Sequence, residues 1–289
     1  MNETFGNILS VLIDITLLGV TGALFYILGF GNILLATKNG FFCNDESIRY
    51  PYIEEETVTT EMLVLVNSTV VIVVALVVEL FATKNIKCSQ FFKCPLRVLY
   101  VVLMASWYVQ VNMIIIDVAK AQVGRLRPHF LNRCDPNVTC TENDFTYHTD
   151  YVCQDVTATE ENEARLSFPS GHASYSATVM GFIIVYIQKR FNPSLKITLL
   201  KPAIHFSIVT LAVWIAMTRV SDYYHRIDDV LTGFKLGTLI GLLGGYHTVT
   251  RMENVFGNKN EKDMENVEKG ENEVKHTDEL NHESQPLLH

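Results

Sequence analysis

The sequence predicts an all-α integral membrane protein whose core is a bundle of six transmembrane helices. Three observations predict it. Apolar residues fill 48% of the 289 positions, and the mean hydropathy is positive at +0.19. They gather into six runs separated by polar loops, and about 20 such residues suffice for a helix to cross a hydrocarbon core of ~30 Å. Finally, basic residues concentrate in two short loops between the runs, as cytoplasmic loops do.

The first run, 8–35, carries Gly19, Gly22, Gly29 and Gly31, which suit close helix packing. Asp14 within it is costly in lipid and is expected to find a polar contact. The run lacks a basic leader and a small-residue cleavage site, so it reads as a retained span. The next runs are 58–81 and 98–118. The fourth and fifth, 173–187 and 202–217, are short and borrow flanking residues. The sixth is 230–250. Together they make one membrane domain, 1–250. Residues 251–289 are rich in Glu, Lys and Asn with few large apolar side chains, and read as a disordered tail. Its ESQPLL segment, 283–288, resembles an acidic dileucine sorting signal, a pattern short enough to arise often by chance.

Lys84, Lys87, Lys93 and Arg97 lie between runs two and three, and Lys189, Arg190, Lys196 and Lys201 between runs four and five, with no acid among either set. Both loops, and with them both termini, are expected on the cytoplasmic side of a plasma or internal membrane. The other loops then face outside or a lumen. Four cysteines fall there, Cys43, Cys134, Cys140 and Cys153, with three complete pairings open to them. Cys88 and Cys94 read as cytoplasmic thiols beside the membrane, with palmitoylation as the alternative. Asn137 opens a glycosylation sequon on the outer side. The sequon at Asn2 lies on the wrong side, and the one at Asn67 lies within a span. The net charge of −8 sits largely in an outer loop and the tail, and no basic stripe argues for nucleic acid. Association of copies of the chain stays open.

Three polar stretches carry the chemistry, and all fall in outer loops. Residues 120–128 read KAQVGRLRP, 167–174 read SFPSGHAS, and 218–229 read TRVSDYYHRIDD. Lys120, Arg127 and Arg219 supply cations suited to an oxyanion, which guanidiniums bind bidentately. Ser170 and Gly171 precede an apolar run, so their N–H groups crown a helix N-terminus, a natural anion site. His225 and Asp229 are four apart, on one face if a helix starts there, so the carboxylate is placed to hold one ring nitrogen. Asp117 either steadies Lys120 or marks the membrane boundary. Arg125 reads as a solvated or headgroup-facing arginine.

Taken in order, K-x6-RP, PSGH and R-x5-H-x3-D resemble the three-part signature of the type 2 phosphatidic acid phosphatase superfamily. Thr218 departs from the serine usual before the third-motif arginine but keeps the hydroxyl. GFFCNDESIRYPY, residues 40–52, is similar to the first outer loop of animal lipid phosphate phosphatases. The resemblance covers about residues 8–249. It implies the helical core shared with vanadate haloperoxidases, and hydrolysis of phosphatidic acid, lysophosphatidic acid, sphingosine 1-phosphate or ceramide 1-phosphate. It also implies His225 as nucleophile through a phosphohistidine, Asp229 as its orienting group, and His172 as acid and then base. No carboxylate or Cys/His cluster argues for a metal, and no cofactor is expected. Rival readings are a sugar-phosphate or isoprenyl-diphosphate phosphatase of the same superfamily, a catalytically silent relative, and a transporter.

Overall fold

The computed structural model describes residues 2–30, 34–83, 94–141, 144–192 and 197–256. Lys84, Lys87, Cys88, Lys93, Lys196 and the ESQPLL segment lie outside the described residues. The chain divides into two compact units, Met1–Thr248 and Val249–His289. Of the second, only 249–256 are described.

The elements run α1 (Asn2–Phe30), β1 (Phe41–Phe42), α2 (Thr60–Thr83), α3 (Cys94–Val123), α4 (Phe130–Cys134), β2 (Tyr147–His148), α5 (Ala158–Glu163), α6 (Gly171–Arg190), α7 (Leu200–Ser221) and α8 (Ile227–Phe256). Each of the six apolar runs falls on one of the long helices. Four of these, α1, α2, α3 and α7, are long and apolar enough to cross a membrane. Their outer faces expose Leu65, Phe206 and Trp214, side chains that water would not favour.

The other two long helices, α6 and α8, are less apolar for a structural reason. The α6 helix packs against α2, α3 and α7, so its surroundings are protein rather than lipid. Its buried positions include Ala173, Ser174, Ser176, Ala177, Thr178 and Gly181, small residues that let neighbouring backbones approach. The α8 helix meets it with a glycine at every fourth position. A Cβ at Gly233, Gly237 or Gly241 would overlap the carbonyl oxygen of Ser170, Ser174 or Thr178, and one at Gly245 would stand 2.6 Å from that of Phe182. Each step of four on α8 thus matches a step of four on α6, which fixes the register of the two helices.

The α1 helix packs on α3, with Gly22 and Gly29 facing Gln110 and Asp117. Asp14 differs from its expectation: its side chain is exposed, and no hydrogen bond or ion pair to it occurs among the described residues. Asn67, by contrast, is buried and donates to the Leu63 carbonyl. At the end of the bundle where α6 finishes, Glu79 is fully buried. It accepts from Tyr186 Oη at 2.9 Å and Arg190 Nε at 3.0 Å, with Arg97 Nη1 at 3.8 Å. Cys94, in the same helix as Arg97, is a buried free thiol.

A cap covers the other end. Phe41, Cys43, Ile48, Leu126, Phe130, Cys134 and Ala164 form its apolar core. Two disulfides choose among the three pairings: Cys43–Cys140 and Cys134–Cys153. β1 pairs antiparallel with β2, Phe41 opposite His148 and Phe42 opposite Tyr147. Arg165 is buried beneath them, its guanidinium 5.4 Å from the Phe130 ring centre and 5.2 Å from that of Tyr151. Asn137 is exposed, with Oδ1 accepting from the Val152 N–H.

The glycine register yields a test. Gly237→Val would force its side chain into the Ser174 carbonyl and is expected to cost about 3 kcal/mol or more, beyond the usual range for overpacking. Gly19→Ala, with nothing within 4 Å of the new Cβ, should stay within about 0.5 kcal/mol of the parent. Thermal unfolding of both variants in detergent measures the difference. Equal midpoints would contradict the α6–α8 packing.

Candidate active site

The three polar stretches meet where α3 and α7 end and α6 and α8 begin. Lys120 sits in the last turn of α3. The chain then turns at Gly124, whose φ of 58° lies in the left-handed region, a conformation glycine adopts without steric cost. Asn39 Nδ2 caps this turn, donating to the Val123 carbonyl at 2.8 Å and that of Gly124 at 2.9 Å. Arg127 follows three residues later, its N–H bonded to the Ala164 carbonyl at 2.9 Å.

Ser170 is the N-cap of α6, and its own N–H donates to the Asp229 carbonyl at 3.0 Å. Gly171 leaves room for the lysine: a Cβ there would stand 3.4 Å from Lys120 Nζ. Between α7 and α8 the chain reverses through Tyr223, a non-glycine residue with φ 58°. Such a conformation is uncommon for a bulky residue and is held by its surroundings. Tyr50 stacks on the Tyr223 ring at 4.7 Å. The Arg219 carbonyl accepts from both Tyr224 N–H and His225 N–H, at 3.1 and 3.0 Å.

This reversal delivers His225 and Asp229, both buried. His225 Nδ1 lies 2.6 Å from the Ser167 carbonyl oxygen. A carbonyl only accepts, so Nδ1 carries the proton and Nε2 keeps its lone pair. The sequence expectation put Asp229 on that ring nitrogen directly. Instead Asp229 Oδ2 stands 3.9 Å from Nδ1 and accepts from Ser167 Oγ at 2.7 Å and the Arg226 N–H at 2.9 Å. Its Oδ1 accepts from Arg125 Nη1 at 2.7 Å. Asp229 therefore reaches the histidine through Ser167. Arg125, expected as a solvated arginine, is the partner of Asp229 and also pairs with Asp228.

The cations converge as expected. Arg219, Lys120 and Arg127 all act electrostatically on His172, and Arg127, Lys120 and His172 act on His225. Lys120 also lies within reach of Asp117, Glu163 and Asp229. Arg127 and Arg219 both lie against the Tyr224 ring, at 5.2 and 5.4 Å. Arg127 pairs with Glu163 at 2.9 Å, and Arg219 with Glu56 at 2.7 Å and Asp222 at 2.8 Å. Within this cluster Arg127 Nε, Arg219 Nε and His172 Nε2 are buried without a hydrogen-bond partner among the described residues, as are other nitrogens of the chain such as Arg165 Nε and Arg226 Nε. Two donors and a ring nitrogen of this cluster are therefore not committed to other side chains and can meet an oxyanion.

Ser167, Glu56, Glu163 and Tyr224 escaped the sequence reading. Ser167 acts partly through its carbonyl, which every residue possesses, so no residue type signals it. Cys43, Asp144 and His148 bring ligand atoms together, but the Cys43 sulfur is committed to its disulfide.

The chain matches the family model for the PAP2 superfamily over residues 95–252. It is 36% identical to human phospholipid phosphatase 2 over 81% of this chain and 80% of that protein. It is 32% identical to rat phospholipid phosphatase 1, over 78% of this chain and 80% of that one. The chain belongs to the PAP2 superfamily. With such relatives along most of its length, it is a phosphatase. Among solved structures, the crystal structure of the first transmembrane PAP2 type phosphatidylglycerolphosphate phosphatase, from Bacillus subtilis, is similar. It is 20% identical, over 64% of this chain and 92% of that chain, with a TM-score of 0.36.

The electrostatics of the site set its acid response. Burial, then the charge of Arg127, presses His129 down to about 4 from the ordinary 6.5, against the Tyr223 carbonyl that acts oppositely. His225 is driven well below 6.5 by burial, then by Arg127 and Lys120. The unfolded chain therefore takes up these protons near pH 6.5, while the folded one resists, so stability falls as pH drops from about 6.5 toward 4. Thermal midpoints in detergent should decline across that window and decline less in His129→Gln. Parallel curves would remove His129 from the account.

Proposed function

We propose that this chain hydrolyses lipid phosphate monoesters through a phosphohistidine. Phosphatidic acid, lysophosphatidic acid, sphingosine 1-phosphate and ceramide 1-phosphate are the candidate substrates. The observation that carries this reading is the set of unpartnered buried nitrogens on Arg127, Arg219 and His172, gathered around a histidine whose tautomer leaves Nε2 nucleophilic.

Lys120, Arg127, Arg219, the Ser170 hydroxyl and the Gly171 N–H hold the phosphate oxygens, the Ser170 N–H being committed to the Asp229 carbonyl, and the cationic charge is complementary to that spread over the equatorial oxygens during transfer. The His225 Nε2 lone pair attacks phosphorus as the bond to the lipid oxygen breaks. His172 gives that oxygen its proton. The new bond leaves His225 cationic, with Nδ1–H still on the Ser167 carbonyl and Asp229 nearby to offset the charge. Water then attacks the phosphohistidine, the P–N bond breaks, and His172 recovers a proton from the water. No metal takes part in these steps.

We further read all six long helices as spans. Of the two less apolar ones, α6 is enclosed by its neighbours, α8 turns Leu239, Leu243 and Tyr246 outward, and 20 residues of helix reach about 30 Å. The basic residues at the Arg97, Arg190 and Lys201 end favour placing that end and both termini in the cytoplasm. The site then lies at the outer or lumenal face, where Asn137 is exposed for glycosylation and the cap disulfides are stable.

Purified protein should release phosphate from a panel of these lipids with chelator present as without it, and intact cells displaying it should hydrolyse an impermeant short-chain lysophosphatidate. Activity that appears only after permeabilisation, with no glycan shift lost in Asn137→Gln, would overturn the orientation. Arg127→Lys should lose at least about tenfold in turnover, because a point charge does not replace the guanidinium fork.

The two histidines separate by leaving group. A lipid alcohol needs its proton, whereas an aryl phosphate departs as a stable phenolate. His172→Ala should therefore lose far more activity on lipid than on aryl phosphate, up to the ~10²–10⁴-fold of general acid catalysis. In rapid quench, His172→Ala should still give a burst of phenol. His225→Ala should give no burst and no acid-labile phosphoprotein with either substrate. The reverse pattern would exchange the two roles.

A further inference from the structure

Two carboxylates pair with the arginines assigned above to the phosphate. Glu163 holds Arg127 and Glu56 holds Arg219, yet neither acid belongs to the three motifs. The burial of each pair is unequal. The Arg219 and Arg127 side chains are 1% and 10% exposed, whereas Glu56 and Glu163 are 25% and 57% exposed. A buried guanidinium requires an anion at all times. A carboxylate at the mouth can return to water at small cost.

Other contacts keep the arginines in place when their acids leave. Arg219 retains Asp222, which is itself fixed by the Thr57 N–H at 2.9 Å and the Thr57 hydroxyl at 2.7 Å. Both guanidiniums rest against Tyr224. Their free Nε donors are already buried. Glu163 also acts on Lys120, so its departure is felt by a third cation. A cavity of about 180 Å³ bordered by Glu56, Glu163, Arg127 and Tyr224 gives both acids room to move.

We propose that Glu56 and Glu163 determine specificity: they are exchangeable counterions that a doubly charged phosphate monoester displaces together and a singly charged phosphodiester does not. The charge balance carries this. Removing two carboxylates from the guanidiniums takes away two negative charges. A monoester dianion restores both, while a diester restores one; Arg219 keeps Asp222 in either case, but with the diester the cluster of Lys120, Arg127 and Arg219 carries one more uncompensated positive charge than before. Membranes are built largely of diester phospholipids, so the device would keep the bulk lipid out of the site. The inference rests on the phosphatase reading above and deepens it.

The test reads binding in a His225→Ala parent, which on that reading forms no phosphohistidine and does not turn over, so it stands apart from the assay of that reading. Purified protein is titrated with methyl phosphate and with dimethyl phosphate at pH 8, above the second phosphate pKa of about 6. Affinities come from the rise in thermal midpoint. The parent should prefer methyl phosphate. In Glu56→Gln and in Glu163→Gln this preference should fall about three- to fivefold, the scale of a partly exposed ion pair. Glu160→Gln is the control, since Glu160 lines the same cavity but pairs with Arg133; its preference should match the parent. An unchanged preference in either of the first two variants, or an equal fall in the control, overturns the proposal.

Discussion

The site depends on one buried carboxylate. Asp229 is fully enclosed and accepts from Arg125, Ser167 and the Arg226 N–H, while its backbone carbonyl accepts from Ser170. These partners come from all three motif segments. Arg125 is 104 positions away and Ser167 is 62. Burying a carboxylate costs several kcal/mol, which only a close cation and good hydrogen bonds offset. Asp229 therefore enforces the meeting of three segments that share no local sequence. Its effect on His225 follows from that assembly: the carboxylate holds the Ser167 hydroxyl, and the Ser167 carbonyl holds the ring.

The glycine register of α8 sets the scale on which this meeting happens. With Gly233 against the Ser170 carbonyl, the two backbones lie close enough for the Ser170 N–H to reach the Asp229 carbonyl. A side chain at Gly233 would push the first turn of α8, and Asp229 with it, away from the α6 N-terminus. The same spacing repeats down the helix at Gly237 and Gly241, so the geometry of the phosphate end is anchored by contacts deep in the bundle.

What the sequence disclosed and what it hid divide along a physical line. Helices α2, α3 and α7 were legible because apolar runs have a length set by the bilayer. Lys120, Arg127, Ser170, Gly171, His172, Arg219, His225 and Asp229 stood out through their resemblance to the three-part family signature, and the structure gathers them at one end of the bundle. Ser167 was hidden because its carbonyl belongs to the backbone. Arg125 was hidden because a solvated arginine and the partner of a buried aspartate look alike in one dimension. The i,i+4 spacing of His225 and Asp229 did place them on one face, yet the nearer Ser167 carbonyl took the ring proton. The disulfide pairing needed the cap: Cys134 and Cys153 are brought together beside the Pro136–Cys153 bridge, which leaves Cys43 to Cys140.

The two ends of the bundle handle buried charge in opposite ways. Glu79 sits among Tyr186, Arg190 and Arg97, with no exposure of its own. Here the anion is enclosed together with one of its cations, Arg97, so it cannot leave without stranding charge in the interior, and helices α2, α3 and α6 are held together. At the phosphate end the cations are enclosed, and part of their anionic complement comes from the more exposed Glu56 and Glu163. Enclosing the cation leaves the anion exchangeable. On the reading proposed above, that asymmetry suits a site that takes up a phosphate ester and releases phosphate at every turnover, because a guanidinium free to swing into water would lose its fixed geometry.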